Sequence, residues 1–267
     1  MKERADESGL AAVDANRPRL DSSVVKALAV LEILSKADVP VGVSAVARQL
    51  DLDKSNVHRL FATLVELGYV QKEADTGRYF PTLKLWECGS AIVARYPLKR
   101  AAQPFLRLLQ RQTSETAFLS VLRGFEVMYL ERIDAAYPLV APMQVGSRAP
   151  AWRTASGKAL LAFQPDPEKI LDQIIATEPA AAALDRPALL EEFALIKRRG
   201  YSVSVNAWIP GISAVAAPIL NLRNAPYAAV GIGGVSDRFG PEHLEGVVRS
   251  VQTVAVGIAE ALGIQPA

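Results

Sequence analysis

Three stretches with helical apolar spacing and two short apolar runs follow one another in residues 23–81, and this order leaves few folds open to the first third of the chain. Apolar residues recur every three or four positions through residues 24–34, which predicts a first helix. A short second helix follows, for which Ser44 is a candidate N-cap. Residues 54–67 predict a longer third helix, and Gly68 is placed to end it.

Two β-prone runs, residues 69–73 and 78–81, flank the turn Ala74-Asp75-Thr76-Gly77 and predict a hairpin. Helix, short helix, tight turn, longer helix and hairpin is the order of a winged helix-turn-helix. The polar face of the longer helix carries side chains of the kinds that contact DNA bases and phosphates, namely Lys54, Ser55, Asn56, His58, Arg59 and Thr63. A polar face on an isolated helix is more often simple solvent exposure. The DNA-binding interpretation therefore depends on the flanking short helix and hairpin.

The chain changes character at Pro97, which ends a connecting helix predicted over residues 83–95. Cys88 lies within that helix, and packing is its predicted role. Beyond Pro97, helical segments (98–112, 156–163, 167–176, 187–199 and 241–262) interleave with strand-like runs (117–122, 127–132, 201–205, 212–219 and 227–232). The predicted fold class is α+β, with an N-terminal winged helix-turn-helix, a connecting helix and a C-terminal mixed α/β domain. We set the boundaries at 1–22 for a flexible arm, 23–83 for the first domain, 84–97 for the connecting helix and 98–267 for the second domain.

The composition and charge exclude several classes of protein. Half of the 267 residues are hydrophobic and 22% are charged, which is typical of a globular chain rather than a disordered one. The net charge of +2 is too small to indicate a nucleic-acid partner without local support. One cysteine and two histidines, with no Asp, Glu, His or Cys cluster at metal spacing, predict no metal, no cofactor and a reducing, cytoplasmic location. No apolar run approaches the roughly 20 residues of a membrane span, so no membrane partner is expected.

Motifs for catalysis are incomplete in this sequence. Gly157-Lys158 lacks the first glycine and the final hydroxyl residue of a phosphate-binding loop, and Gly231-Ile-Gly233-Gly234 lacks the promptly following helix of a dinucleotide site. An enzyme with Ser156 and Lys158 as reacting groups is the alternative function, although side chains two positions apart on a helix do not face each other. The segment 155–158 fits a helix N-terminus that donates amide hydrogens to an anion, and equally a plain capped helix.

Three large side chains, Met143, Trp152 and Trp208, lie in loop-like contexts near prolines of the second domain. Loop aromatics and methionines often line ligand cavities, although packing beneath the loop is equally open for each.

A third hypothesis for the function, besides the regulator and the enzyme, is an architectural DNA binder without a ligand. It fits poorly with so large a second domain.

The sequence resembles the IclR family of bacterial transcription regulators across residues 23–262. The first group of matching motifs is Val43-Ser-Ala-Val-Ala-Arg-Gln-Leu50, Leu52-Asp-Lys-Ser-Asn-Val-His-Arg-Leu60 and Leu64-Val-Glu-Leu-Gly-Tyr-Val70. The second group is Thr154-Ala-Ser-Gly-Lys-Ala-Leu-Leu161, Arg199-Gly-Tyr201 and Gly211-Ile-Ser-Ala-Val-Ala-Ala-Pro-Ile219. Their order and spacing also agree with the family.

The resemblance implies a GAF/PAS-like effector-binding domain, a homodimer that pairs into a tetramer in some members, and operator DNA binding that a small molecule modulates, without catalysis. By position in the family's motifs, the DNA-binding residues are Ser55, Asn56, His58 and Arg59 on the recognition helix, Arg78 and Tyr79 on the wing, and Ser44 and Lys54 at phosphates. The effector-binding residues carried over in the same way are Ala155, Ser156, Gly157, Ser204, Ile212, Ala214, Gly231 and Gly233, to which we add the loop residues Met143, Trp152 and Trp208.

Several positions in the second domain depart from the family's pattern. Ala207, Ala214, Gly231 and Gly233 stand where polar side chains are common. Fewer polar groups and a larger cavity favour a bulkier organic or aromatic acid, anchored by Ser156 and nearby amides. The expected function is a ligand-responsive transcription regulator of a catabolic operon.

Two departures lie in the DNA-binding half. Asp51 stands at the usual turn glycine, and because Asp tolerates the left-handed conformation we expect the turn to form. Pro81-Thr82 replaces a Leu-Gly after the wing, at the entry to the connecting helix.

Overall fold

The computed structural model describes residues 20–135 and 143–264. The chain divides into two compact units, Met1–Ala91 and Ile92–Ala267, which we call the amino-terminal and carboxy-terminal units. Most of the predicted flexible arm lies outside the described residues. Its last two positions have defined roles, since the Asp21 carboxylate caps the first helix and Ser22 begins it.

The amino-terminal unit contains α1 (Ser22–Ser35), α2 (Val43–Leu50), α3 (Lys54–Glu66) and a hairpin of β1 (Val70–Lys72) and β2 (Tyr79–Pro81). Its core combines one apolar stripe from each helix with the inward side chains of the hairpin, and includes Val30, Leu34, Val46, Val57, Phe61, Leu64, Val70 and Tyr79. The predicted winged helix-turn-helix is confirmed. The connecting helix α4 (Lys84–Ala94) follows and has no buried residue.

The turn between α2 and α3 forms although a glycine is missing. Asp51 adopts the left-handed conformation with φ 52° and ψ 51°, as expected for a short polar side chain at this position. The N-cap of α2 is Gly42, whereas Ser44 is the second residue of the helix and is exposed, so the predicted cap is wrong by two positions. Gly68 has φ 74° directly after Leu67, the C-cap of α3.

The carboxy-terminal unit is built on a six-stranded antiparallel sheet with the strand order β5-β4-β3-β8-β7-β6. The strands are β3 (Thr116–Arg123), β4 (Glu126–Ile133), β5 (Arg148–Pro150), β6 (Ser202–Val205), β7 (Ile212–Leu220) and β8 (Pro226–Val235). Only β5 lacks a counterpart in the sequence prediction, because three residues at a sheet edge are too few to show an alternating pattern.

Helices cover both faces of this sheet and enclose two separate cores. On one face, α5 (Pro97–Thr113) and α9 (Pro241–Ala261) pack over the apolar side chains of β3, β7 and β8. On the other face lie α6 (Ala155–Ala162), α7 (Pro167–Thr177) and α8 (Arg186–Arg199). The class is therefore α+β, as predicted, and the candidate ligand-binding residues lie on the α6 side.

Candidate functional site

The exposed face of α3 carries the basic and polar side chains predicted to meet DNA. Val57, Phe61 and Leu64 are buried, so the opposite edge of the helix, which includes Ser55 and Arg59, faces solvent. Lys54 and His58 are also exposed, and Asn56 is half-buried. Within the described part of the chain, neither Lys54 nor Arg59 forms an ion pair. The positive charge on this face is therefore available to a partner.

The wing presents two cations rather than the predicted cation and tyrosine. Arg78 is exposed, but the Tyr79 ring is only 7% exposed and stacks on Phe61 with 3.9 Å between ring centroids and 5° between planes. Tyr79 therefore belongs to the core of the amino-terminal unit, which contradicts its predicted role in DNA contact. Sequence reasoning overlooked Lys72, which is exposed on β1 with Nζ 5.9 Å from the Tyr79 ring.

The α6 face of the sheet contains a cavity beneath the N-terminus of α6. Its lining comes from β3, β4, β6, β7, the N-terminus of α6 and two connecting segments, and consists of Phe118, Tyr129, Met143, Thr154, Ala155, Ser156, Ser204, Trp208, Ile209, Ile212 and Ala214. The cavity volume is about 30 Å³, measured as the space open to the centre of a water molecule. Since one such centre needs roughly 10–15 Å³, the cavity as it stands has room for about two waters.

Seven of the predicted effector-binding residues line this cavity together, namely Met143, Ala155, Ser156, Ser204, Trp208, Ile212 and Ala214. Strand register explains part of this grouping, because Ser204 pairs with Ala214 and Ala214 pairs with Gly233 across neighbouring strands. Sequence reasoning did not single out Phe118, Tyr129, Thr154 and Ile209. Phe118 and Tyr129 are aromatic residues inside strands, where the sequence pattern does not distinguish a side chain that lines a cavity from one that packs in the core.

The remaining four predicted residues, Trp152, Gly157, Gly231 and Gly233, are not in the lining that the described residues form. A Cβ on Gly157 would lie 2.2 Å from the Ala151 carbonyl oxygen, so this glycine allows α6 to pack closely. A Cβ on Gly231 would lie 2.3 Å from the Val215 carbonyl oxygen in the neighbouring strand. Trp152 is buried among the helices of this face. Packing is therefore the role that the structure gives to these three.

The polar end of the cavity is formed by the first turn of α6. Thr154 is the N-cap, and its hydroxyl accepts a hydrogen bond from the Gly157 amide at 3.1 Å. Ser156 is 1% exposed and lines the cavity, yet its hydroxyl has no hydrogen-bond partner among the described residues. An unpartnered buried hydroxyl in the first turn of a helix is suited to bind the negative end of a ligand.

Tyr129 and Ser204 add two hydroxyl groups to this end. Burial raises the pKa of the Tyr129 phenol, and the nearby Ser156 hydroxyl lowers that pKa to a smaller extent, although no hydrogen bond of regular geometry joins the two groups. The phenol therefore stays protonated at neutral pH and is able to donate. The Ser204 hydroxyl donates to the Arg153 carbonyl oxygen at 3.1 Å, which leaves its lone pairs available.

Lys158 does not face the cavity. Its ammonium group lies 2.5 Å from a carboxylate oxygen of Glu192 on α8, and its side chain is buried against that helix. Ser156 and Lys158 therefore do not form a reacting pair. No charged side chain lines the cavity in the part of the chain that the structure describes.

The segment between β6 and β7 closes one side of the cavity. Trp208 and Ile209 on this segment are part of the lining. Its ends are held by Asn206, whose side-chain oxygen accepts hydrogen bonds from the Gly211 amide at 2.8 Å and from the Ser236 hydroxyl at 2.9 Å. Arg153 Nε donates to the Ala207 carbonyl oxygen at 3.0 Å, which ties the same segment to the entry of α6.

Residues 20–135 and 143–264 contain no group of three or more His, Cys, Asp or Glu side chains positioned to hold a metal ion. Among the helices described, none is long and apolar enough to cross a membrane.

A winged helix-turn-helix with an exposed basic recognition helix, joined to a unit with an internal cavity at a helix N-terminus, defines a DNA-binding regulator that carries its own sensor. Residues 23–74 match the IclR helix-turn-helix domain, and residues 90–260 match the bacterial transcriptional regulator IclR C-terminal domain. The chain belongs to the IclR family of transcription regulators. The predicted function as a DNA-binding regulator is confirmed, and the alternative of an enzyme is wrong.

Relatives with known roles and solved structures agree with this assignment. The transcriptional regulator KdgR of Escherichia coli (strain K12) is 30% identical over 252 residues, which cover 92% of this chain and 95% of that relative. The crystal structure of Thermotoga maritima IclR superposes with a TM-score of 0.68 at 30% identity and covers 90% of this chain and 98% of that one. An IclR homolog from Microbacterium hydrocarbonoxydans, solved in complex with 4-hydroxybenzoate, shares the fold with a TM-score of 0.75 at 24% identity, and the match covers 91% of this chain and 99% of that one.

Proposed function

We propose that this regulator binds a pseudo-palindromic operator as a homodimer in the cytoplasm, and that a small organic or aromatic acid in the α6 cavity modulates that binding to control a catabolic operon. Each protomer places α3 in a major groove, where Ser55, Asn56, His58 and Arg59 meet base edges. Lys54, Ser44 and the wing residue Arg78 contact phosphates. The observation that best supports the ligand is the buried, unpartnered Ser156 hydroxyl that lines the cavity.

Exposed apolar side chains support the homodimer. Val24 and Leu28 on α1 are each 55% exposed, and Trp86 and Ile92 on α4 are 69% and 70% exposed. Apolar surface of this extent on two helices marks an interaction site, and a second copy of the chain is the occupant that a two-fold symmetric operator requires. Pairing of two dimers into a tetramer is the further assembly that the family resemblance implies.

The cavity chemistry supports an acid with one apolar ring or chain. Its apolar wall includes Phe118, Met143, Trp208 and Ile212, which suit a ring or a short acyl group. Its polar end offers the α6 amides, Ser156 and Tyr129, which suit one carboxylate and no second charge. The Microbacterium homolog was solved with 4-hydroxybenzoate, an acid of this class, which supports the same class here.

Fluorescence anisotropy with purified protein tests both halves of the proposal. The labelled duplex is the region upstream of the protein's own gene, compared with a scrambled duplex of the same length across a salt series. We expect selective binding that one class of acid shifts, in a panel of 4-hydroxybenzoate, benzoate, short-chain acids and dicarboxylates. Equal affinity for both duplexes with a steep salt slope would mean nonspecific electrostatic binding and would refute the operator claim. Selective binding that no acid moves would refute the ligand claim alone.

A further inference from the structure

The C-terminal end of the recognition helix α3 is held by two side chains from the start of the connecting helix. Lys84 Nζ donates a hydrogen bond to the Leu67 carbonyl oxygen at 2.7 Å, and the Thr82 hydroxyl donates to the Gly68 carbonyl oxygen at 2.6 Å. Leu67 is the C-cap of α3, and Gly68 follows it. Because the last carbonyls of a helix lack partners within the helix, these donors satisfy groups that α3 itself leaves without a partner. The Lys84 ammonium also lies at the negative end of the α3 dipole.

The same two residues make further contacts that fix the first turn of α4. The Thr82 hydroxyl accepts a hydrogen bond from the Lys84 amide at 3.2 Å, and the Thr82 amide donates to the Tyr69 carbonyl oxygen at 2.9 Å. Lys84 Nζ lies 4.8 Å from the centroid of the Tyr69 ring. The Cys88 thiol, one turn further along α4, is close enough to the Tyr69 phenol to raise its pKa. Residues 67–69 and the first turn of α4 are thus joined by directional contacts.

These contacts have a special position in the chain because α4 contains the division between the two units, after Ala91. The chain passes between the units once, within α4, and no α4 residue is buried. Apolar packing would let a helix rotate or slide, whereas hydrogen bonds to two successive carbonyls fix its direction and its rotation. Any change in the direction of α4 is therefore transferred to the end of α3.

We propose that Thr82 and Lys84 form a coupling clamp, which makes the recognition helix follow the connecting helix and so transmits the ligand state to the operator-binding surface. This inference rests on the proposed function and names the route of its regulation. Both are positioning residues, since the groups they hold are the Leu67 and Gly68 carbonyls. Thr82 is also one of the two positions where the sequence after the wing departs from the Leu-Gly that the family resemblance implies.

Hydrogen exchange of the full chain, with and without operator duplex, tests the clamp without an effector. The variants are Thr82→Val, Lys84→Met and the double variant. The controls are Lys36→Met, which removes another exposed ammonium of the same unit, and Thr177→Val, which removes a hydroxyl bonded within α7. In the wild type we expect duplex binding to slow amide exchange in both α3 and α4. In the double variant we expect slowing in α3 only, with operator affinity within about threefold of the wild type.

Three outcomes are informative. Equal slowing of α4 exchange in the wild type and the double variant overturns the clamp. A loss of operator affinity of more than about tenfold in a folded double variant also overturns it, because the two residues would then only support α3. If the double variant does not fold, the same comparison is made with the single Thr82→Val variant, which changes little volume, and equal slowing of α4 exchange in that variant and the wild type overturns the clamp. A wild type that binds operator and scrambled duplexes equally refutes the proposed function instead, and that comparison is made first.

Discussion

Replacing Ser156 by alanine should weaken ligand binding while leaving the free protein at least as stable. The Ser156 hydroxyl is buried, lines the cavity and has no partner among the described residues. A hydrogen bond from this hydroxyl to a carboxylate is worth about 1.5–3 kcal/mol, which converts to a loss in affinity of about 12-fold to 150-fold. An unsatisfied buried hydroxyl costs about 1–3 kcal/mol, so its removal should not lower the free energy of unfolding of the ligand-free protein.

Ser120 provides a matched control for this substitution. Its hydroxyl on β3 is also fully buried and has no partner among the described residues, but it is not part of the lining that these residues form. Isothermal titration with the acid that shifts operator binding most gives the dissociation constant for the wild type, Ser156→Ala and Ser120→Ala, and thermal unfolding without ligand gives the stability. Ser120→Ala should keep wild-type affinity within about threefold. A Ser156→Ala variant with unchanged affinity, or a Ser120→Ala variant weakened equally, would refute Ser156 as the anchor.

Three further substitutions test other parts of the molecule. Arg59→Ala should cost about 1–3 kcal/mol of operator affinity and relax specificity at one base pair, and a uniform loss across all sequences in competition assays would instead make Arg59 a phosphate contact. Tyr79→Phe should keep the operator affinity and the midpoint of urea unfolding, whereas Tyr79→Ala should lower the free energy of unfolding by about 3–5 kcal/mol. A strong loss of operator affinity in Tyr79→Phe would instead indicate that the Tyr79 hydroxyl contacts DNA. Gly157→Ala should lower the free energy of unfolding by about 1–3 kcal/mol or more, because its Cβ would lie 2.2 Å from the Ala151 carbonyl oxygen. The control Gly89→Ala, on α4 with open space around it, should raise the free energy of unfolding by about 0.5–1 kcal/mol. Equal effects of the two substitutions in chemical denaturation would contradict this packing argument.

The sequence predicted most helices of this fold because their information is local. In α3, the apolar residues Val57, Phe61 and Leu64 recur at helical spacing, so the buried face follows directly from the pattern. A strand of three residues offers no such repeat. The inward direction of Tyr79 is set by its stacking on Phe61, a contact between residues 18 positions apart that the pattern of β2 does not contain. The predicted domain boundaries on either side of α4 stay a prediction.

The candidate ligand site was only partly predictable for a related reason. Ser156 and Ala155 were accessible to sequence reasoning because a capped helix start has a local signature. Gly157 and Gly231 also lie at positions that the family's motifs assign to effector binding, yet their role in this structure follows from the close approach of another backbone segment. Tyr129 reaches the cavity because β4 pairs with β3 after a register shift between Leu119 and Ser120, which no local pattern shows.

The small size of the cavity links ligand binding to movement of its walls. Ligand pockets commonly measure roughly 300–1,000 Å³, whereas this cavity measures about 30 Å³, so an acid with a ring fits only if a wall, such as the segment with Trp208, moves outwards. That segment is tied to the entry of α6 through Arg153 and, through Asn206 and the Ser236 hydroxyl, to the chain that leads from β8 into α9. Displacing Trp208 therefore strains the hydrogen bonds of both connections at once. A ligand shifts a conformational equilibrium only by its difference in affinity for the two states, so an acid small enough to bind without moving Trp208 should occupy the site without regulating the operator.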